Sequence, residues 1–253
     1  MNSEAKNKFL ELDLLGKIYN IYSIASENIH HDILEMENGN FLITTLDENG
    51  SEDSLIELSR NSGKIIKKID LKTVLDQNRY INKKLFKQDF FGASFDDWFH
   101  LNAIYEHKDG ITLSGRHQSA VIKMSYPELE LKWILGIHDQ WNDSYRNYLL
   151  TPIETEGFFE WQYGQHSQEE LPDFDNNADT IDILLFDNGN GRGVPNMKNY
   201  SRAVQYRINE KEMTVTQIWE YGKVRGKDLF SASVGDANYL PKTGNRLISF
   251  GSL

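Results

Sequence analysis

The sequence predicts an all-β fold of the β-propeller type, on three observations: short strand-forming runs, turn signals at regular spacing, and a recurring two-part unit. The runs include Phe41-Leu42-Ile43-Thr44-Thr45, Lys64-Ile65-Ile66-Lys67-Lys68-Ile69 and Arg246-Leu247-Ile248-Ser249-Phe250. Between such runs fall Asn38-Gly39, Asn49-Gly50, Asn61-Ser62-Gly63, Asp109-Gly110, Asn188-Gly189 and Thr243-Gly244. Asparagine, aspartate and glycine supply the backbone conformations that tight turns demand.

Taken in order, the hairpin from Phe9 to Tyr22 reads as the outer half of a unit. An inner half follows at His31-Asp32-Ile33-Leu34…Leu42-Ile43, and its outer half runs from Leu55 to Asp70. Residues 60–96 are longer than a connection needs, and their mixed charge suits a cap. The sole helical pattern, from Leu71 to Phe86, is weak. The next unit pairs His100-Leu101-Asn102-Ala103…Ile111-Thr112-Leu113 with Val121 to Leu135. After a second long loop or cap at 141–161 come Gln165-His166…Ile183-Leu184-Leu185-Phe186 and the hairpin from Ala203 to Tyr221. The segment from Gly189 to Tyr200 is a third loop, fit to wall a central pocket. The last inner half, Ala237-Asn238-Tyr239-Leu240…Leu247-Ile248, has no histidine. The expectation is a single domain over 1–253 with about four blades, its first and last half-units pairing in one blade as propellers often close.

The 38 acidic and 27 basic residues give a net charge of −11. That argues against a general nucleic-acid binder, which needs a basic face to release counterions, and against docking on an anionic membrane. The chain has no cysteine, so disulfides, thiol catalysis and thiolate metal sites are excluded. No apolar run approaches the roughly 20 residues a bilayer span needs. Met1 to Lys8 lacks the apolar core of a signal peptide, so as written the chain shows no export signal.

Three of the seven histidines, His31, His100 and His166, open inner half-units. The first strand of each propeller blade lines the central channel, so residues at matching phase converge on the axis. One histidine so placed is an ordinary structural residue; three are the constellation a site requires. Arg116, a short hairpin after His100, can fork onto an oxyanion such as sulfate, or form a salt bridge. Asn102 stands two residues after His100, so on a strand both side chains face one way, and its amide can donate to the same oxyanion or cap a turn. Phe91, Trp98, Phe99, Trp141, Trp161 and Tyr163 flank these positions and can cradle an aromatic ligand or fill the core. The run from Asp187 to Arg192 resembles a calcium-loop fragment without its closing glutamate and reads as a turn. No Walker loop, dinucleotide fingerprint or nucleophile elbow occurs. The residues alone leave three readings open: an oxyanion-transfer site, a zinc or iron site made by the histidines with Asp32, or a scaffold binding a protein or a small aromatic ligand.

Ten segments together resemble the bacterial arylsulfotransferase family. They are His30-His31-Asp32-Ile33, Asn38-Gly39-Asn40, His100-Leu101-Asn102-Ala103, Ser114-Gly115-Arg116-His117-Gln118, Lys132-Trp133-Ile134-Leu135-Gly136, Gln162-Tyr163-Gly164-Gln165-His166-Ser167, Leu185-Phe186-Asp187-Asn188-Gly189, Tyr200-Ser201-Arg202-Ala203, Trp219-Glu220-Tyr221-Gly222-Lys223 and Gly244-Asn245-Arg246-Leu247-Ile248. They run in the family's order over nearly the whole chain. The resemblance implies a propeller that moves a sulfuryl group from an aryl sulfate to a phenol, without a nucleotide donor, cofactor or metal, through a sulfated histidine. It implies that His166 is the nucleophile, that His100 and Asn102 are the histidine-x-asparagine pair, that Arg116 binds sulfate and that His31 is the remaining active-site histidine. Members are typically longer, often exported and built of about six blades, so about two blades are lacking here.

Overall fold

A computed structural model of the chain describes residues 7–24, 26–79, 97–155, 158–192 and 199–252. The strands are β1 (Lys8–Leu12), β2 (Ile18–Ser23), β3 (Ile29–Glu35), β4 (Phe41–Thr45), β5 (Ser54–Leu58), β6 (Ile65–Asp70), β7 (Leu101–His107), β8 (Gly110–Gly115), β9 (Ala120–Met124), β10 (Leu131–Gly136), β11 (Thr151–Ile153), β12 (His166–Glu170), β13 (Thr180–Asp187), β14 (Arg202–Asn209), β15 (Thr214–Tyr221), β16 (Asp236–Leu240) and β17 (Asn245–Ser249). They form five sheets that follow one another along the chain: β1-β2, β3-β4-β5-β6, β7-β8-β9-β10, β12-β13-β14-β15 with β11 added outside, and β16-β17. Every pairing within them is antiparallel except that of β11 with β15.

The turns lie where the glycine pairs predicted them. Gly39 takes a φ of 81° in the turn that returns β3 to β4, with its amide donating to Met36 O at 2.8 Å. Short helical turns occupy Leu71–Thr73, Asp143–Tyr148 and Lys223–Leu229. The first is the described part of the weak helical pattern, whose residues 80–86 lie outside the described residues, as does 80–96 of the proposed cap. No helix among the described residues is long and apolar enough to cross a membrane.

Apolar clusters fill the spaces between consecutive sheets. Tyr22 and Ile24 meet Phe41, Ile43 and Ile56. Leu42 and Leu55 meet Leu101, Leu113 and Ile122. Val121, Trp133 and Leu135 meet Ile183, Leu185 and Val204, and Leu184 and Phe186 meet Ala237. Neighbouring residues of one strand thus enter different clusters: Ile122 faces one way and Val121 the other. That is why β4 and β9 are buried at every position and read as near-continuous apolar runs rather than alternating ones. Each such Leu or Ile contributes about 1.5–3 kcal/mol over its exposed state.

The strands β3, β7, β12 and β16 lie side by side in that order. Side chains stitch each to the next. Asp32 Oδ2 accepts from Ile104 N at 2.8 Å, Gln168 Nε2 donates to Ala103 O at 3.2 Å, and Glu169 Oε1 accepts from Tyr239 N at 2.6 Å.

One expectation fails. Among the described residues the first and last half-units do not pair: β1-β2 and β16-β17 stand as separate two-stranded sheets. Each docks instead on the sheet nearest to it in sequence, through its own apolar cluster.

Candidate active site

The connections at one end of β3, β7 and β12 meet, and buried polar groups hold them. Asp53, fully buried between β4 and β5, accepts from the amides of Phe99 at 2.8 Å and His100 at 3.1 Å. Leu101 N donates to Glu52 O at 2.7 Å, which sets Glu52 beside His100. The turn after β8 closes over this segment, with Arg116 N donating to His100 O at 3.1 Å and His117 N to Phe99 O at 3.2 Å. The ring of Phe99 packs where any side chain at residue 115 would sit: a Cβ on Gly115 would lie 2.7 Å from it. Arg79 ties the same turn to the end of β10 by donating to Gln118 O at 2.8 Å and Ile137 O at 2.9 Å. The chain entering β12 is sewn to the turn as well: Gly164 N donates to Ser119 Oγ at 3.2 Å, and Gln165 Nε2 to Ala120 O at 3.0 Å.

Within this frame His100 lies between two carboxylates. Its Nδ1 pairs with Asp97 Oδ2 and stands 2.8 Å from Glu52 Oε2. Burial works against a charge on His100, yet these two carboxylates raise it to about 9. Burial also opposes the charge of Asp97, which His100 and His117 nevertheless hold at about 2. The imidazoles around His100 are pushed the other way. Burial and the nearby His100 charge lower His31 to about 4 and His117 to about 3. Their ring centroids are 5.0 and 4.4 Å from that of His100. One cationic imidazole is therefore flanked by two neutral ones.

His117 is a relay between charge and backbone. Its Nδ1 donates to Asp97 O at 2.7 Å, and its Nε2 accepts from Arg116 Nη1 at 2.9 Å. The buried guanidinium of Arg116 is aimed through this contact.

His166 is buried, with Nδ1 2.6 Å from Asn188 Oδ1. The amide nitrogen of Asn188 donates to Ser231 O at 2.8 Å and Val234 O at 2.7 Å, so its oxygen must face the imidazole. That fixes the tautomer: Nδ1 carries the proton and Nε2 keeps a lone pair. Burial lowers His166 to about 3, and the charges of Arg116, His100 and His31 add to the effect against the bond from Asn188.

The residues singled out in the sequence come together, but not in the expected phase. His31 and His100 occupy the left-handed position at the start of their strands, with φ of 38° and 54°; at the third such place it is Ser167, with φ 52°. His166 sits one residue earlier, where the second unit has Phe99 and the first His30. A bulge adjoins each of these positions, so Asn102 and His100 do not follow simple strand alternation. Asn102 commits one amide hydrogen to Gln165 O at 2.8 Å, which leaves its other hydrogen for a ligand. Trp98, Phe99 and Trp141 belong to the core rather than to a pocket wall, Trp161 packs beside another apolar cluster, Tyr163 stacks under Arg192, and Phe91 lies outside the described residues. Asp187 anchors a buried network with Arg202 Nε at 2.8 Å and with Arg192, in keeping with a turn.

The sequence reading missed Glu52, Asp97, His117 and Asn188. Among the described residues two groups offer metal-ligand atoms within 4.8 Å of one another, His30–His31–Glu52 and Asp97–His100–His117. Both ring nitrogens of His117 already have partners, and Asp32 turns to the Ile104 amide instead of joining the histidines. The grouping of three histidines with Asp32 does not form.

The sequence model of the family described as Arylsulfotransferase (ASST) matches residues 1–253. The arylsulfate sulfotransferase AssT of Escherichia coli O6:H1 is 28% identical over 95% of this chain and 48% of its own length. The protein of the same name from Lelliottia amnigena is 30% identical over 87% of this chain and 45% of its own. The chain thus spans about half the length of the curated relatives it matches.

Proposed function

The chain belongs to the arylsulfotransferase family, and on that premise we propose that it transfers a sulfuryl group from an aryl sulfate to a phenol, with His166 as the nucleophile. The observation that carries this reading is the pairing of a neutral His166, its Nε2 lone pair uncommitted by Asn188, with the cationic Arg116 and His100.

Transfer of a sulfate monoester resembles phosphoryl transfer, in which positioning and electrostatics dominate over covalent help from the protein. Nε2 of His166 attacks sulfur as the bond from sulfur to the aryl oxygen breaks. Arg116 grips the sulfuryl oxygens, and the second amide hydrogen of Asn102 supports one of them. The departing phenolate takes the Nε2 proton of His100, whose value near 9 suits a phenol as partner. In the second half, the acceptor phenol returns a proton to His100 while its oxygen attacks sulfur and the nitrogen–sulfur bond breaks. His31, neutral and beside His100, shapes the pocket around the ester and is not the acid. Two half-reactions through one covalent species give ping-pong kinetics. No metal or cofactor takes part in these steps.

The same reading treats the five sheets as blades and half-blades of one propeller domain spanning 1–253, with β3, β7, β12 and β16 along its axis. The side-by-side order of those strands and the clusters between consecutive sheets support it.

The test is turnover of p-nitrophenyl sulfate with added phenol, for the wild type and His166→Ala, together with intact mass in the absence of acceptor. Phenol-dependent release and a mass gain of one sulfuryl group, both lost in the variant, are expected. A folded wild type that neither releases p-nitrophenol nor gains mass would replace this reading with that of a binding scaffold.

A further inference from the structure

A cavity of about 240 Å³ lies between β3, β7, β12 and β16, sharing His31 and Asn102 with the histidine cluster. Three of those strands each place a carboxylate on its wall, Asp32, Glu169 and Asp236, and no lysine or arginine among the described residues lines it. The backbone fixes the direction of two of them, through Ile104 N at 2.8 Å and Tyr239 N at 2.6 Å. Burial, and to a lesser degree the nearby Asp236 charge, raise both Asp32 and Glu169.

Of the amides on the wall, Asn102 and Gln168 are buried, with 7% and 4% of their surface exposed. Both turn their nitrogens to backbone carbonyls: Asn102 Nδ2 donates to Gln165 O at 2.8 Å, and Gln168 Nε2 to Ala103 O and Thr112 O, each at 3.2 Å. Their oxygens, Oδ1 and Oε1, have no hydrogen-bond partner among the described residues. A buried acceptor left unsatisfied costs about 1–3 kcal/mol. Two of them beside three carboxylates make a wall of oxygen acceptors that calls for a positive occupant.

We propose that this cavity is a binding site for a hard divalent cation of the calcium type, held by Asp32, Glu169 and Asp236 and by the amide oxygens of Asn102 and Gln168. Calcium accepts roughly six to eight oxygen ligands in irregular geometry, including amide carbonyls and water. The cavity has room for the waters that complete such a shell. Zinc and copper favour imidazole and thiolate, and nearly every donor here is oxygen. The cation also offsets three negative charges that would otherwise oppose an anionic ester at Arg116 and His100. The site stands whether or not the histidines transfer a sulfuryl group, because none of its carboxylates belongs to that chemistry.

The test is calorimetric titration of the chelator-treated chain with calcium chloride, paired with thermal unfolding in chelator and in millimolar calcium. One calcium per chain and a higher Tm are expected, with binding at least about tenfold weaker in Asp236→Asn and in Gln168→Met. Circular dichroism checks the fold of each variant, and Glu169→Gln replaces either one that fails to fold. Absence of both heat and Tm shift in the wild type overturns the proposal, as does unchanged affinity in the folded variants. Tighter binding of magnesium than of calcium overturns the choice of ion.

Discussion

Asn188 Oδ1 lies 2.6 Å from Nδ1 of His166, while the nitrogen of the same amide is spent on Ser231 O and Val234 O. The imidazole can therefore hold only one tautomer, the one with its lone pair on Nε2. Asn188→Ala removes that constraint. A misplaced tautomer costs up to about 10⁴-fold in rate where a histidine must act through one nitrogen. The expected result is a fall in kcat of about 10²-fold or more with little change in KM, read by steady-state kinetics.

Asp97 sets the charge of its neighbour. His100 lies near 9 in the folded chain, above the ordinary value of about 6.5. Its contribution to stability is thus complete below about pH 6.5 and is lost as pH rises through about 9. In Asp97→Asn this loss shrinks and shifts to lower pH, and the alkaline limb of kcat/KM moves the same way. Thermal unfolding and rate profiles across that range measure both. An alkaline limb that stays in place would exclude His100 as the acid.

Arg116 offers a planar fork, aimed by His117. Lysine keeps the charge but not the fork. Arg116→Lys is expected to lower kcat/KM for p-nitrophenyl sulfate by about 10²- to 10³-fold, while the thermal midpoint stays close to that of the wild type.

Arg202 is fully buried and bonds Asp187 at 2.8 Å, Glu220 at 2.6 Å and the carbonyl of Glu160 at 2.9 Å. Removing one member of such a network strands the others in a dry interior. Arg202→Leu is expected to cost about 3–5 kcal/mol, measured by denaturant unfolding. A loss under 1 kcal/mol would mean that Arg192 alone satisfies Asp187.

The strands were legible because their limits are local: Asn38-Gly39 and Asp109-Gly110 turn the chain wherever they occur. His31, His100, Arg116 and His166 were legible because the recurring unit gave them positions. Their relative phase was not, since a left-handed residue at the head of a bulge can be histidine or serine without any change in pattern. Glu52 and Asp97 were hidden for another reason. In a chain with 38 acidic residues, a carboxylate on a loop looks like solvated surface until the fold buries it against a histidine. Trp98 and Phe99 stayed open between two roles because an aromatic beside a histidine looks alike in a pocket and in a core; the fold puts both in the core. The failed pairing of the terminal hairpins is a matter of long-range docking, which no local signal encodes.

The left-handed backbone at His31 and His100 has a consequence for selection. A non-glycine residue in that conformation gives up about 1 kcal/mol of folding free energy, so the chain is less stable for keeping histidine there. A laboratory screen for heat resistance alone would drift toward glycine at both positions. The survivors would be sturdier proteins with two of the cluster's imidazoles gone, so a screen of this chain must reward turnover as well as endurance.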